Sequence, residues 1–270
     1  MTDAYGRGAC GKRSGADESE RPREDVPVTR HAVPPGEPIT DRGADYTRGC
    51  RFLRTFGPLD PRTFGPLHPQ TFLVATTNAG KVREIRQVLA SLPITIKTLQ
   101  DFPRVAEPEE TAATFAGNAL LKAEYYATAC GCPTVAEDSG LAIDALGGLP
   151  GVESARYPGA TYPDKFQNLY RELAGHPRPW TARYVCSLAF VDRPGSGPAQ
   201  PPVLFTCEDT VEGEIWPEPI GAGGFGYDPI FYYPSFQTTF GNVSDARKLT
   251  VAHRGKAFRH LADWLRTAAG

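Results

Sequence analysis

The sequence predicts a layered α/β domain with a central mixed sheet, preceded by a disordered N-terminal extension. Three observations carry that prediction. From Thr71 onward, short apolar runs alternate with helix-period apolar stripes. In the second half, two long strand-like runs are joined by a loose loop, which adds an antiparallel portion to the sheet. From Met1 to Cys50 the only large aliphatics are Val26, Val28, Val33 and Ile39, too few to offset the entropy of ordering that segment.

The elements follow in order. Thr71 to Thr76 reads as a buried strand. Ile85, Val88, Leu89 and Leu92 recur at helical spacing, so Ala79 to Ser91 reads as a helix with one apolar face. Ile94 to Lys97 is a short strand. Thr111 to Cys130 reads as a long helix with Thr111 as its N-cap. A strand over 133–136 leads into a tight turn at Glu137-Asp138-Ser139-Gly140. Asp164 to Ala174 is helical. Tyr184 to Val191 and Val203 to Gly213 form the long strand pair, with Asp192 to Pro202 as the loop between them. Ile230 to Tyr232 is strand-like, and Phe258, Leu261, Ala262 and Leu265 give a last helix its stripe.

Residues 1–70 are expected to be a low-complexity extension and 71–270 the folded domain. The extension ends in a duplicated octapeptide, Arg54-Thr55-Phe56-Gly57-Pro58-Leu59-Asp60-Pro61 followed by Arg62-Thr63-Phe64-Gly65-Pro66-Leu67-His68-Pro69. Two Pro-rich copies are too few for a solenoid and read as a duplicated linker. A partner-docking motif anchored by Phe56 and Phe64 is the alternative. Deleting residues 1–69 is expected to leave activity and the thermal midpoint nearly unchanged. A midpoint lower by many degrees, or conversion of a dimer to a monomer, would place the extension in the folded protein.

Composition excludes several classes. The formal net charge of -2 gives no general nucleic-acid-binding surface. No apolar run approaches the roughly 20 residues needed to span a membrane, and the N-terminus lacks the apolar core of a secretory signal. The 6 cysteines are scattered, and Cys130-Gly131-Cys132 has neither zinc-knuckle nor redox-pair spacing. Reduced thiols in a cytoplasmic protein account for them.

The chemistry gathers in four segments. Glu137-Asp138 places two carboxylates side by side, which is costly unless positive charge balances them; Mg²⁺ carrying phosphates would do so. Thr76-Thr77-Asn78-Ala79-Gly80-Lys81 ends a strand and starts a helix, so free N–H groups and the Lys81 ammonium are available for phosphate. It is not a Walker A loop. Glu109 and Glu110 precede the long helix and are candidate metal ligands facing Asp138. On that helix Phe115, Asn118 and Lys122 share a face. Gly221 to Gly226 formally matches a dinucleotide fingerprint, but it follows Pro217 and Pro219, opens no βαβ unit, and is rejected as one. It reads instead as a loop bringing Phe225, Gly226 and Tyr227 to a flat ligand, with Asp228 as a hydrogen-bond acceptor. Lys248, His253 and Arg254 precede the last helix, and Arg254 suits bidentate donation to a carbonyl or phosphate.

These segments, in this order, resemble the inosine triphosphate pyrophosphatase family, the pyrophosphatases of non-canonical purine nucleoside triphosphates. The resemblance covers about 71–267. It rests on Thr76 to Lys81, on Glu109-Glu110-Thr111 with Phe115, Asn118, Ala119, Lys122 and Ala123, and on Glu137-Asp138-Ser139-Gly140-Leu141. Gly147 to Val152, Ser154-Ala155-Arg156-Tyr157, Phe225-Gly226-Tyr227-Asp228-Pro229 and His253-Arg254 complete it. Gly117, Arg247 and Ala252 depart from the family's usual Glu, Glu and Ser. Gly117 inside a helix is expected to cost about 1 kcal/mol against alanine.

The resemblance implies an inosine triphosphatase-like fold and Mg²⁺-dependent hydrolysis of ITP, dITP or XTP to the monophosphate and pyrophosphate. It implies Asp138 as the catalytic carboxylate and, with Glu109 or Glu110, a metal ligand. Thr76 to Lys81, Lys122 and Ser139 then hold the triphosphate, Phe225 to Tyr227 contact the base, and Asp228, Lys248, His253 and Arg254 read its edge. It also implies a homodimer. A catalytically silent nucleotide-binding regulator would show damage at Asp138 or the lysines, and there is none. A Maf-like nucleotide pyrophosphatase with another base preference would need a Ser-x-Ser-x-x-Arg start, which is missing.

Overall fold

The computed structural model describes residues 71–193 and 200–268. The extension and its octapeptide lie outside the described residues, as does most of the 192–202 loop. The remainder is a seven-stranded sheet in the order β2-β1-β3-β4-β5-β6-β7. β1 (Thr71–Val74) runs parallel to β2 (Thr95–Thr98) and to β3 (Thr134–Ile143). β4 (Trp180–Val191), β5 (Val203–Ile215), β6 (Phe231–Tyr233) and β7 (Thr238–Thr239) continue antiparallel from β3. The sheet is therefore mixed, as expected.

Side chains alternate across a strand, and the sheet buries both faces. Leu73, Ala136 and Ala189 point to α2 (Phe115–Cys130), packing on Ala119, Ala123 and Ala127. Small residues there let helix and sheet approach closely. Phe72, Val74, Val135 and Leu188 point the other way, to α1 (Ala79–Leu89) and α5 (His253–Ala268). Farther along that face Leu141, Ile143 and Tyr184 meet α3 (Tyr162–Leu173) through Phe166, Leu169 and Leu173. Each cluster removes large apolar side chains from water, at roughly 1.5–3 kcal/mol per side chain. Between Val135 and Leu141 the same face carries Glu137 and Ser139, so a polar patch separates two apolar cores.

Four sequence expectations change. Glu137-Asp138-Ser139-Gly140 is not a turn at a strand end. It lies inside the ten-residue β3, paired with β4 from Thr134↔Val191 to Ile143↔Ala182. Gly140 is there for close approach: a Cβ would collide with the Gly151 carbonyl and the Ser154 hydroxyl. The long helix starts at Phe115, not Thr111, because Thr114 is the N-cap and accepts from the Gly117 N–H (3.1 Å). Gly117 thus sits in the first turn, where a Cβ would come within 2.6 Å of the Ala112 Cβ; its small size is required there, and the expected mid-helix penalty does not apply. A seven-residue helix, α4 (Asp245–Val251), capped by Ser244, was not expected. The rejection of the dinucleotide motif holds, since the glycine loop leads into a single turn, Asp228–Ile230.

Candidate active site

The site forms where β3 outruns its parallel neighbour. β1 pairs with β3 only through Leu73↔Thr134 and Val74↔Val135. From Ala136 onward that edge of β3 meets the loop entering α1, the crevice at strand carboxyl ends where open α/β sheets bind ligands. At this edge the alternating side chains of β3 feed two charged groups.

On the α2 side, Asp138 is buried and accepts from Lys122 Nζ (3.0 Å) and from Asn118 Nδ2 (3.3 Å). Lys122 also reaches Glu110 Oε1 (2.7 Å), whose other oxygen accepts from Arg156 Nη1 (2.9 Å). The shared face of Phe115, Asn118 and Lys122 therefore delivers two groups to Asp138. Burial raises the Asp138 pKa above its ordinary value; Lys122 only partly offsets it, and the Glu110 charge adds to it. Burial also acts on Glu110, but the bonds from Lys122 and Arg156 outweigh it and lower its pKa. Glu109 is exposed and has no partner among the described residues, so the structure brings Glu110, not Glu109, to Asp138.

On the opposite face, Glu137 bonds Lys81 Nζ (2.9 Å), Arg254 Nε (3.1 Å) and Cys186 Sγ (3.3 Å). Arg254 also donates to Glu84 (2.6 Å) and Ser139 Oγ (2.9 Å). Lys248 bridges Glu84 (2.9 Å) and Asp228 (2.6 Å). Three carboxylates, Glu84, Glu137 and Asp228, thus balance three cations, Lys81, Lys248 and Arg254. The balance matters because breaking one member of a buried pair is far more costly than never burying it. Burial works against the Glu137 carboxylate, but Arg254 and Lys81 hold it well below the usual range. Burial drives the His253 pKa well down, helped by Arg254 and Lys248, so its imidazole is neutral. The His253 ring stacks on Tyr184 (4.7 Å, 15°), and its Nδ1 has no partner among the described residues.

One cleft runs along this network, lined by Asn78, Lys81, Ser139, Phe225, Lys248 and Arg254 among others. Asn78 caps α1 by accepting from the Lys81 N–H (3.1 Å), and Thr76 Oγ1 accepts from the Asn78 N–H (3.2 Å). Thr77 and Ala79 are exposed beside them. Gly80 lets the Phe225 ring pack over the helix start, where a Cβ would lie 2.8 Å from that ring. Lys248 Nζ lies 4.6 Å from the Phe225 centroid and the Arg254 guanidinium 5.4 Å. Gly226 and Asp228 also line the cleft, and Asp228 accepts from the Phe225 N–H (2.8 Å). Tyr227 is a wall more than a stacking surface. Its ring is only 3% exposed, and its hydroxyl donates to the Ser154 carbonyl (2.8 Å).

A sequence model of the Ham1 family matches residues 72–264, nearly all of this sheet and both charged groups. The chain belongs to the Ham1 family. Within it, the chain is 42% identical over 197 residues to a dITP/XTP pyrophosphatase of Halalkalibacterium halodurans, covering 72% of this chain and 98% of that protein. It is 45% identical over 196 residues to a dITP/XTP pyrophosphatase of Thermus thermophilus, covering 71% and 89%. The solved structure of a HAM1 protein from Coxiella burnetii superposes with a TM-score of 0.65 at 37% identity, covering 73% of this chain and 99% of that one.

Glu84 and Cys186 are members of this Ham1 site that sequence reasoning missed; the positive charge expected to balance Glu137 comes from Lys81 and Arg254. Glu84 sits three residues after Lys81 on α1, beside the apolar stripe; an acid flanking such a stripe reads as solvated until a buried cation is known to face it. No helix among the described residues is long and apolar enough to cross a membrane.

Proposed function

We propose that the protein hydrolyses the α–β phosphoanhydride of ITP, dITP and XTP, releasing the nucleoside monophosphate and pyrophosphate. The observation that carries this reading is the pairing of two unlike polar groups at one strand edge. Asp138 with Lys122 and Glu110 is suited to phosphate chemistry, and the rigid Lys248–Arg254 pair beside Phe225 is suited to a base. The relatives named dITP/XTP pyrophosphatase agree with it.

Asn78, Lys81 and the free N–H groups at the start of α1 bind the phosphates, and Lys122 neutralises them from the other side. The Asp138 carboxylate, with its raised pKa, takes a proton from the attacking water. Phe225 supplies an aromatic face for the base. Lys248 and Arg254, held by Glu84, Glu137 and Asp228, present donors that cost no reorganisation when a 6-oxo group arrives. Adenine offers an amino group there, leaving buried donors unpaired, which is a strong basis for rejection.

The donor set fits Mg²⁺. Asp138 and Glu110 are hard oxygen ligands held near one another by one lysine. Among the described residues no cluster of three or more acidic, His or Cys side chains could hold a metal ion, and Mg²⁺ bound to substrate phosphates needs only one or two carboxylates. Asp138 and Glu110 would hold it, and when bound it offsets charge on the transferring phosphate. We further propose a homodimer acting in the cytoplasm.

Pyrophosphate release across a nucleotide panel tests the reading. Turnover is expected on ITP, dITP and XTP and far less on ATP and on GTP, whose base shares the 6-oxo group and differs by its 2-amino group. Equal turnover of ATP and ITP would overturn the selectivity, and orthophosphate as direct product would overturn the bond assignment.

A further inference from the structure

Tyr162 stands in the cleft without a task. It is the first residue of α3, directly after the Thr161 cap, and is 38% exposed although large and aromatic. It is nonetheless held in place. Its ring meets Tyr227 edge-on (5.3 Å, 88°) and tilts against Phe166 (6.3 Å). The buried Lys165 ammonium lies 5.1 Å from its centroid and is itself fixed by donating to the Ala155 carbonyl (2.5 Å). A Cβ on Gly226 would fall 3.5 Å from the Tyr162 hydroxyl, so that hydroxyl abuts the Phe225-Gly226-Tyr227 segment. Tyr162 lines the same cleft as Lys248 and Arg254, and among the described residues its hydroxyl has no hydrogen-bond partner. Burial, with the Asp228 carboxylate adding to it, raises the hydroxyl's pKa, which keeps it a neutral donor and acceptor near pH 7. A fixed ring with an unpaired hydroxyl beside a base-binding loop is a specificity element awaiting its ligand.

We propose that Tyr162 is a substrate-contacting residue, whose hydroxyl hydrogen-bonds the purine base of the bound nucleotide and whose ring closes the cleft beside Phe225. The assignment rests on the function proposed above. It places the contact at the base end, because the hydroxyl neighbours Gly226 and lies near Asp228, whereas Asn78 and Lys81, assigned to the phosphates, lie at the start of α1.

Tyr162→Phe keeps the ring and its packing while removing the hydroxyl. Losing one such hydrogen bond is expected to raise KM for ITP about three- to tenfold. Turnover number should stay within about twofold, and the thermal midpoint should not move. KM for dITP should rise by the same factor, since the base is common to both. Tyr162→Ala should raise KM further by removing the wall as well. An unchanged KM in Tyr162→Phe overturns the proposal. A rise confined to ITP overturns the base assignment, because it points to the ribose 2′-hydroxyl. If the wild-type protein releases no pyrophosphate from any nucleotide, the functional reading fails instead. The comparison is then made on ITP binding by calorimetry, where equal affinity of wild type and Tyr162→Phe overturns the contact.

Discussion

Asp138→Asn is expected to lower the rate of pyrophosphate release by about 10²–10⁴-fold at saturating nucleotide, the range for losing a positioned general base. The side chain keeps its volume, and its one remaining oxygen can still accept from Lys122, while the bond from Asn118 is lost. What it loses is the ability to take a proton and one of the two carboxylates assigned to the metal. Raising Mg²⁺ to saturation should therefore not restore the rate. The fold should persist, because burial disfavours the charged form of Asp138 and a neutral amide carries no such penalty. Lys122 retains Glu110 as its partner (2.7 Å). Turnover and the circular-dichroism melting curve, measured on one preparation, separate the outcomes. Near-normal turnover with a normal melt would remove Asp138 from the centre of the chemistry. A collapsed melt would assign it a structural role.

The parts of the fold legible in the sequence are those where local pattern and tertiary demand agree. The apolar stripe of α1 and the Phe115–Asn118–Lys122 face follow from a period of 3.6, and the β4–β5 pair from two long strand-like runs. The stretch at Glu137-Asp138-Ser139-Gly140 misled because local and tertiary demands conflict there. Asp-Ser-Gly favours a turn on its own, but ten residues of register with β4 satisfy the backbone better as a strand. The consequence is functional, since a turn would have put both carboxylates in one place, whereas the strand sends Glu137 and Asp138 to opposite faces. The choice between Glu109 and Glu110 was likewise closed to sequence reasoning. Adjacent residues in an extended segment point apart, and only the position of Lys122 and Arg156 selects Glu110. The buried charges were the least legible, because Glu84 acquires its meaning from cations 164 and 170 positions away in the chain.

Those long-range pairs give the second large effect. Glu84→Ala should destabilise the protein by about 3–5 kcal/mol, the range for removing one partner of a buried charge pair. Glu84 is 1% exposed and bonds both Lys248 and Arg254, themselves 2% exposed. Without it three cations face two carboxylates, Glu137 and Asp228. For a domain of this size the loss corresponds to a thermal midpoint lower by roughly 6–20 °C. The loss has a functional side too. Glu84 lies on α1 with Lys81 and pairs with both Lys248 and Arg254, the cations proposed to read the base. Freed from it, Lys248 and Arg254 no longer hold a fixed pair of donors, and the preference for ITP over ATP should narrow. Glu84→Gln keeps the volume and one acceptor oxygen but loses the charge and turns an amide N–H toward the second cation, and should fall between wild type and Glu84→Ala. A midpoint within about 2 °C of wild type for Glu84→Ala would mean that water or rearranged side chains neutralise the site, and that the balanced network is not what holds α1 against α4 and α5.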